Sequence, residues 1–139
     1  MTHVVGQTRD AGFQIGVSRT LPHPRERVWE FVTSAAGLAV WLGEGARLSA
    51  DRGAAYRTAE GTVGQVRSLR EHDRVRLTWQ PADWDHETTV QLTVSGDERT
   101  VLRFHQERLA DAAERERQRE HWQRVMDAVV AALDSQAGR

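Results

Sequence analysis

Between Glu44 and Leu109 no apolar residue recurs at helical spacing. The stretch breaks instead into short runs, Ala46–Ala50, Ala54–Thr58, Thr62–Arg70, Val75–Gln80, Thr88–Val94 and Val101–Leu109. Turn-forming residues separate them: Asp51-Arg52-Gly53, Glu60-Gly61, Glu71-His72-Asp73, Pro81 to Asp85, and Gly96-Asp97. A parallel pair of strands needs a crossover of about a dozen residues or more, and these connections are shorter, so the runs must form an antiparallel meander. Alternation assigns the faces. Val75, Leu77 and Trp79 share one, as do Val90, Leu92 and Val94, and as do Leu102, Phe104 and Gln106. By the same parity Arg108 joins Gln106 on the inward face, and His105 and Glu107 turn to solvent.

Helical elements flank the meander. Phe13, Ile15, Val17, Arg19 and Leu21 alternate as in a half-buried strand that Pro22 and Pro24 end. Val28, Phe31, Val32 and Ala35 then follow helical spacing, with Pro24 suited to the first turn. Thr33 or Ser34 is placed to break this helix and cap a short second one carrying Leu38, Trp41 and Leu42, with Gly43 as a left-handed stop. From Ala110 to Gln136 the pattern is one long helix, with Trp122, Val125, Met126, Val129, Val130 and Leu133 as its apolar stripe. Its first half is polar: Glu114 to Glu120 holds no apolar residue, which predicts core at one end and a solvated surface at the other, with pairs such as Glu120 and Arg124 at i,i+4. The expected fold class is therefore α+β: a curved antiparallel sheet of about seven strands, two short helices after the first strand, and a long C-terminal helix across the concave face.

Composition removes several function classes. In 139 residues the net charge is −1, so no global field favours nucleic acid or an anionic membrane. All 19 basic residues are arginine, which leaves no lysine for Schiff-base chemistry, and the absence of cysteine removes disulfides, thiol nucleophiles and thiolate metal sites. Met1 to Gly12 lacks an apolar signal region and no run approaches the roughly 20 apolar residues of a membrane span, so a cytoplasmic protein without membrane insertion is expected.

A curved sheet covered by a single helix leaves space at some level. Five tryptophans supply large walls with one polar tip each. Trp79 and Phe104 would line the space from the sheet, Trp122 and Met126 from the helix, and Trp29, Trp41 and Tyr56 from the opposite side. Plain core packing of these aromatics is the alternative. Gln106, inward-facing, must find a partner, water or ligand; Arg115 and Gln118 continue the helical stripe towards the mouth of the space, where a guanidinium suits a carboxylate or phosphate.

Asp83, Asp85, His86 and Glu87 are the densest set of oxygen and nitrogen ligands, but they follow Pro81 in a turn, where aspartate bonds local backbone, and no metal-binding spacing completes them. No metal or cofactor is therefore expected. No Ser-His-Asp arrangement, Gly-x-Ser-x-Gly frame or phosphate loop is present, and no catalytic residue is assigned.

The opening strand with Arg19, Pro24-Arg25-Glu26-Arg27-Val28-Trp29 leading to Thr33, and the Trp41-Leu42-Gly43 turn form an ordered set. Gly61 and Gly64-Gln65-Val66 follow, then Val75-Arg76-Leu77-Thr78-Trp79, Thr88-Thr89-Val90, Thr100-Val101-Leu102 and His121-Trp122. This set resembles the SRPBCC, or START-like helix-grip, superfamily, in the branch similar to the activator of the heat-shock protein 90 ATPase in its small bacterial single-domain form. The likeness runs from about Phe13 to Leu133, in what would be one domain over residues 1–139. It departs at Ala35-Ala36-Gly37, where the branch carries a proline and an acidic residue.

The resemblance implies a cavity between sheet and C-terminal helix, and with it binding of a small hydrophobic or amphipathic molecule. Trp41, Tyr56, Trp79, Phe104, Gln106, Arg115, Gln118, Trp122 and Met126 are the candidate contacts. The alternatives it carries are a cyclase- or hydrolase-like cavity enzyme, for which His121, Asp83 and His86 are the remaining inward candidates, and a chaperone-interacting module, as a monomer or homodimer.

Overall fold

A computed structural model describes residues 7–8 and 12–137. In chain order the elements are β1 (Gln7–Thr8), β2 (Gly12–Leu21), α1 (Arg25–Thr33), α2 (Ala35–Trp41), β3 (Ala55–Arg57), β4 (Val63–Arg70), β5 (Arg74–Trp79), β6 (Thr88–Gly96), β7 (Thr100–Leu109) and α3 (Ala112–Ala137). Six strands, β2 to β7, make the body of the sheet, all neighbours antiparallel, and the two-residue β1 pairs onto the outer side of β2. The order is β1-β2-β7-β6-β5-β4-β3: β3 to β7 form the expected meander, and β2 joins it beside β7 through pairs such as Val17–Phe104 and Arg19–Leu102.

The strand expected at Ala46–Ala50 does not form. Its alternation is real, since Ala46 is buried, Arg47 exposed and Leu48 half-buried. The residues just after it pair with β4, Gly53 N donating to Val66 O at 2.7 Å and Val66 N to Ala54 O at 2.9 Å, so the sheet ends at β3. Alternating burial alone does not make a strand, and the body of the sheet has six strands, β2 to β7, with the two-residue β1 beside them.

The α1–α2 junction explains the Ala35-Ala36-Gly37 departure. Ser34 leaves the helical region with ψ 162°, and its hydroxyl accepts from Gly37 N at 3.1 Å, capping α2. A Cβ on Gly37 would lie 1.8 Å from the Phe31 carbonyl oxygen, so the two helices cross backbone against backbone where only glycine fits. Gly43 N and Leu42 N both donate to Leu38 O and close α2.

On the sheet's inner face Val75, Leu77, Trp79, Val90, Leu92, Val94, Leu102, Phe104 and Gln106 are all buried, as alternation requires. The parity fails after Gln106. Arg108 adopts φ 69° in a bulge that shifts the β2–β7 register between Phe13 and Ile15, so Leu109 turns inward and Arg108 outward, the reverse of the expected placement. On the outer face His105 bonds Gln14 Oε1 at 2.8 Å and Glu107 pairs with Arg76; the Glu107 side chain is only 15% exposed, so these two point away from the core without being free in solvent.

Across the inner face lies α3. Trp122, Met126, Val129 and Leu133 are fully buried, each contributing about 1.5–3 kcal/mol by removal from water. Arg19–Asp127 at 2.7 Å and His23–Asp134 at 3.0 Å tie it to the β2 side. Its first half is not solvated throughout. Glu114 and Gln118 are buried, the first against His86 of the β5–β6 turn and the second against Gln106 of β7, and among the described residues the ion pairs that form are Arg115–Glu116 and Arg119–Glu116 rather than Glu120–Arg124. No helix of the described residues is long and apolar enough to cross a membrane.

Candidate binding site

Gln106 stands at the centre of the interface between sheet and α3. Its Oε1 accepts from Gln118 Nε2 at 2.9 Å and from Trp122 Nε1 at 2.8 Å, and its Nε2 donates to Thr88 Oγ1 at 3.0 Å. Thr88 in turn donates to Trp79 O at 2.7 Å. Three strands and one helix are thus joined by a polar network in a region where an unpaired group would be expensive. Both lone pairs of the Gln106 oxygen are used, leaving one amide hydrogen for anything else.

Around this network the aromatic candidates meet. Phe104 and Trp122 stack with centroids 4.9 Å apart, Trp41 lies 5.9 Å from Phe104, and Met126 is fully buried beside them, so side chains fill the middle of the interface. The indole N–H of Trp41 donates to Val32 O at 2.8 Å. Tyr56 is buried further along, its hydroxyl donating to Thr78 O at 2.5 Å, and burial together with the nearby Glu87 pushes its pKa up. Trp29 lies elsewhere, in a separate cleft of about 390 Å³ with Leu48 and Leu69.

The polar half of α3 is different. Trp79 lies 6.0 Å from His121 and 6.3 Å from Trp122, and Trp84 meets Trp79 edge-on at 5.3 Å. Here three buried nitrogens, Trp79 Nε1, His121 Nε2 and Arg115 Nε, have no hydrogen-bond partner among the described residues. Burial, reinforced by Arg124, lowers the His121 pKa and keeps the ring neutral at pH 7.

A histidine clamp closes the same end. His86 stacks on Trp84 at 4.9 Å, its Nδ1 lies 2.8 Å from Asp85 Oδ1, and its Nε2 lies 2.7 Å from Glu114 Oε1. With a carboxylate at each nitrogen both must donate, which is the imidazolium form, and hydrogen bonds to Asp85 and then Glu114 raise its pKa. Glu114 is fixed by the helix start: its backbone N–H donates to Asp111 Oδ1 at 2.8 Å while its carboxylate accepts from Ala110 N at 3.0 Å. The Asp111-x-x-Glu114 capping box was visible in the sequence and marks Glu114 as structured rather than solvated. Trp84 had no such signal. Asp83 and Glu87 do not join the clamp, and among the described residues no group of three or more potential ligands converges on a metal position.

The fold is similar to those of known proteins. The structure is similar to that of the dynemicin biosynthetic-locus protein DynU16, with TM-score 0.76, 22% identity and 88% of this chain covered; this chain spans 48% of that one. It is also similar to CalU16 from Micromonospora echinospora, with TM-score 0.75 and 16% identity over 91% of this chain and 80% of that chain. A third likeness is to an Hsp90 activator from Plasmodium falciparum, with TM-score 0.73 and 16% identity over 87% of this chain and 96% of that chain. At these identities the likeness shows the fold. No curated protein matches the chain in sequence. The sequence profile of the Activator of Hsp90 ATPase homolog 1-like proteins matches residues 22–134, from the end of β2 to the last turns of α3, and the chain belongs to that family.

Proposed function

We propose that this protein is a binding module for a small amphipathic molecule with a flat apolar body and a hydrogen-bonding acceptor such as a carboxylate. The molecule sits where the first half of α3 meets the β5–β6 turn. One observation carries the reading: in this half of α3 and the strand beneath it, Trp79 Nε1, His121 Nε2 and Arg115 Nε are buried without hydrogen-bond partners among the described residues. A buried donor without an acceptor costs about 1–3 kcal/mol, which a ligand acceptor would recover. Trp79, Trp84 and Trp122 supply the walls, and Arg115, 13% exposed, supplies a charge reachable from outside. The occurrence of a structural neighbour in a biosynthetic locus accords with a small-molecule role.

The clamp bears on the enzyme alternative. His86 is in contact with both Asp85 and Glu114 at this end, and donating to two carboxylates at once favours anchoring over proton transfer. The test is thermal shift and tryptophan fluorescence with aromatic carboxylates, such as naphthoate and indole acetate, beside their neutral alcohols. A ligand at a hundred times its Kd stabilises by about 2.7 kcal/mol, a readily measured rise in Tm. Trp79→Phe, which keeps the ring and deletes the donor, and Arg115→Gln are expected to weaken the carboxylates selectively. Carboxylates that bind no better than the alcohols, or binding indifferent to both substitutions, would overturn the reading.

A further inference from the structure

The sheet's outer face carries a charge pattern that the net charge of −1 conceals. Arg52, Arg67, Arg74, Arg76 and Arg108 line a single open depression of about 710 Å³, contributed by one loop and three strands, with Glu87 as its lining carboxylate. A second depression of about 700 Å³ adjoins it, shares Arg67 and Glu87, and adds Arg57. The two form one trough across β3, β4 and β5.

Within it the guanidinium groups are held rather than dispersed. Arg74 Nε donates to Ser68 Oγ at 3.2 Å, and Arg76 donates to Gln91 Oε1 at 3.2 Å and to Glu107. Arg70 and Arg74 stand directly opposite each other across β4 and β5, a like-charge pairing that destabilises a sheet by a few tenths of a kcal/mol or more. Arg52 and Arg67 have no carboxylate within salt-bridge distance among the described residues. The bulge at Arg108 adds another guanidinium by turning outward a side chain that regular alternation would bury.

We infer that this outer face is a docking surface for an extended acidic polypeptide segment of a partner protein, its Asp and Glu side chains seated on Arg67, Arg74 and their neighbours. Charge complementarity selects the sign, and guanidinium forks match carboxylates in pairs. The trough's extent selects the form: two joined depressions of this size exceed a small anion, whose pocket would be a fraction of either. A second copy of this chain fits poorly, because the exposed side of α3 mixes Glu116 and Glu120 with Arg117, Arg119 and Arg124.

The experiment is fluorescence anisotropy with a labelled peptide of alternating Glu and Ser, using the full chain, beside a Lys–Ser peptide, a thymidine oligonucleotide and tripolyphosphate. Saturable binding of the acidic peptide alone is expected, weakening with salt, and falling at least about tenfold in the R67E/R74E variant while R124E on α3 leaves it unchanged. If R67E/R74E lowers the melting temperature, R67Q/R74Q is expected to show a smaller loss of the same kind. No peptide binding, tighter binding of the oligonucleotide, complete displacement by equimolar tripolyphosphate, or self-association that R67E/R74E abolishes would each overturn the inference.

Discussion

Replacing Gln106 by leucine tests the interface network. The substitution keeps side-chain size but removes an oxygen that two donors share and an amide that meets Thr88. Trp122 is fully buried, so its indole N–H is left without an acceptor and costs about 1–3 kcal/mol. Gln118 lies nearer the surface and turns to water at a cost of roughly 0.5–1 kcal/mol, and Thr88 keeps its bond to Trp79 O. The expected loss is about 2–4 kcal/mol, a large share of a typical 5–15 kcal/mol, or a Tm fall of roughly 8–15 °C for a chain of this length. Gln118→Leu leaves the Trp122 bond intact and is expected to cost only about 0.5–1.5 kcal/mol. The double variant should lose about 1 kcal/mol less than the sum, since the amide stranded by one change is deleted by the other. Urea unfolding followed by circular dichroism measures all three. A Gln106→Leu variant within about 0.5 kcal/mol of the parent, or strict additivity, would refute the claim that this network holds α3 to the sheet.

The His86 clamp predicts a pH dependence of stability. A pKa raised above the ordinary 6.5 contributes stability that is complete below that value and is lost as pH rises through the raised one. His86→Phe, which keeps the stack on Trp84, should therefore be less stable than the parent by roughly 0.5–1 kcal/mol near pH 6 after solvent screening, the gap closing as pH rises through the raised pKa; a gap constant with pH contradicts the clamp. Buried His121 acts in the opposite sense, its lowered pKa costing stability as pH falls below 6.5, so the comparison must be made between variants at each pH. Arg108→Gly should stabilise by about 0.5–1 kcal/mol, because the φ of 69° suits glycine and the side chain is exposed; destabilisation in urea unfolding would show that the guanidinium contributes more than the backbone strain removes.

Much of the architecture was legible in period alone. Residues 75, 77 and 79, or 122, 126, 129 and 133, face the core because alternation and helical spacing leave no other way to bury them. Local pattern could not reveal which strands have partners. Ala46–Ala50 alternates like an edge strand, yet the sheet ends at β3 and no strand forms there. Parity also assumes an unbroken ladder, so the bulge that reverses Arg108 was invisible. The burial of Trp79, Phe104, Trp122 and Gln106 follows from spacing, but the three partners of Gln106 and the place of Trp84 depend on tertiary placement. Glu114 sits in a charge run that composition assigns to solvent, and only Asp111 three residues before it distinguishes it from Glu116 and Glu120. The outer-face arginines come from separate segments, and no window of sequence contains them together.

The pairing of β2 with β7 has a consequence for how the chain folds. The meander from β3 to β7 grows by adding neighbours across short turns, whereas the Arg19–Leu102 pairing joins residues on either side of both short helices and all the intervening hairpins. Loop-closure entropy opposes that contact until the meander exists to receive it. β2 therefore waits for its β7 partner, with only the two-residue β1 beside it, while the meander is synthesised. It is secured as α3 arrives, because Asp127 and Asp134 of that helix are what Arg19 and His23 grasp. β2 and α3 settle in one late step, and the strand most exposed to misassembly during synthesis is one made well before its main partner.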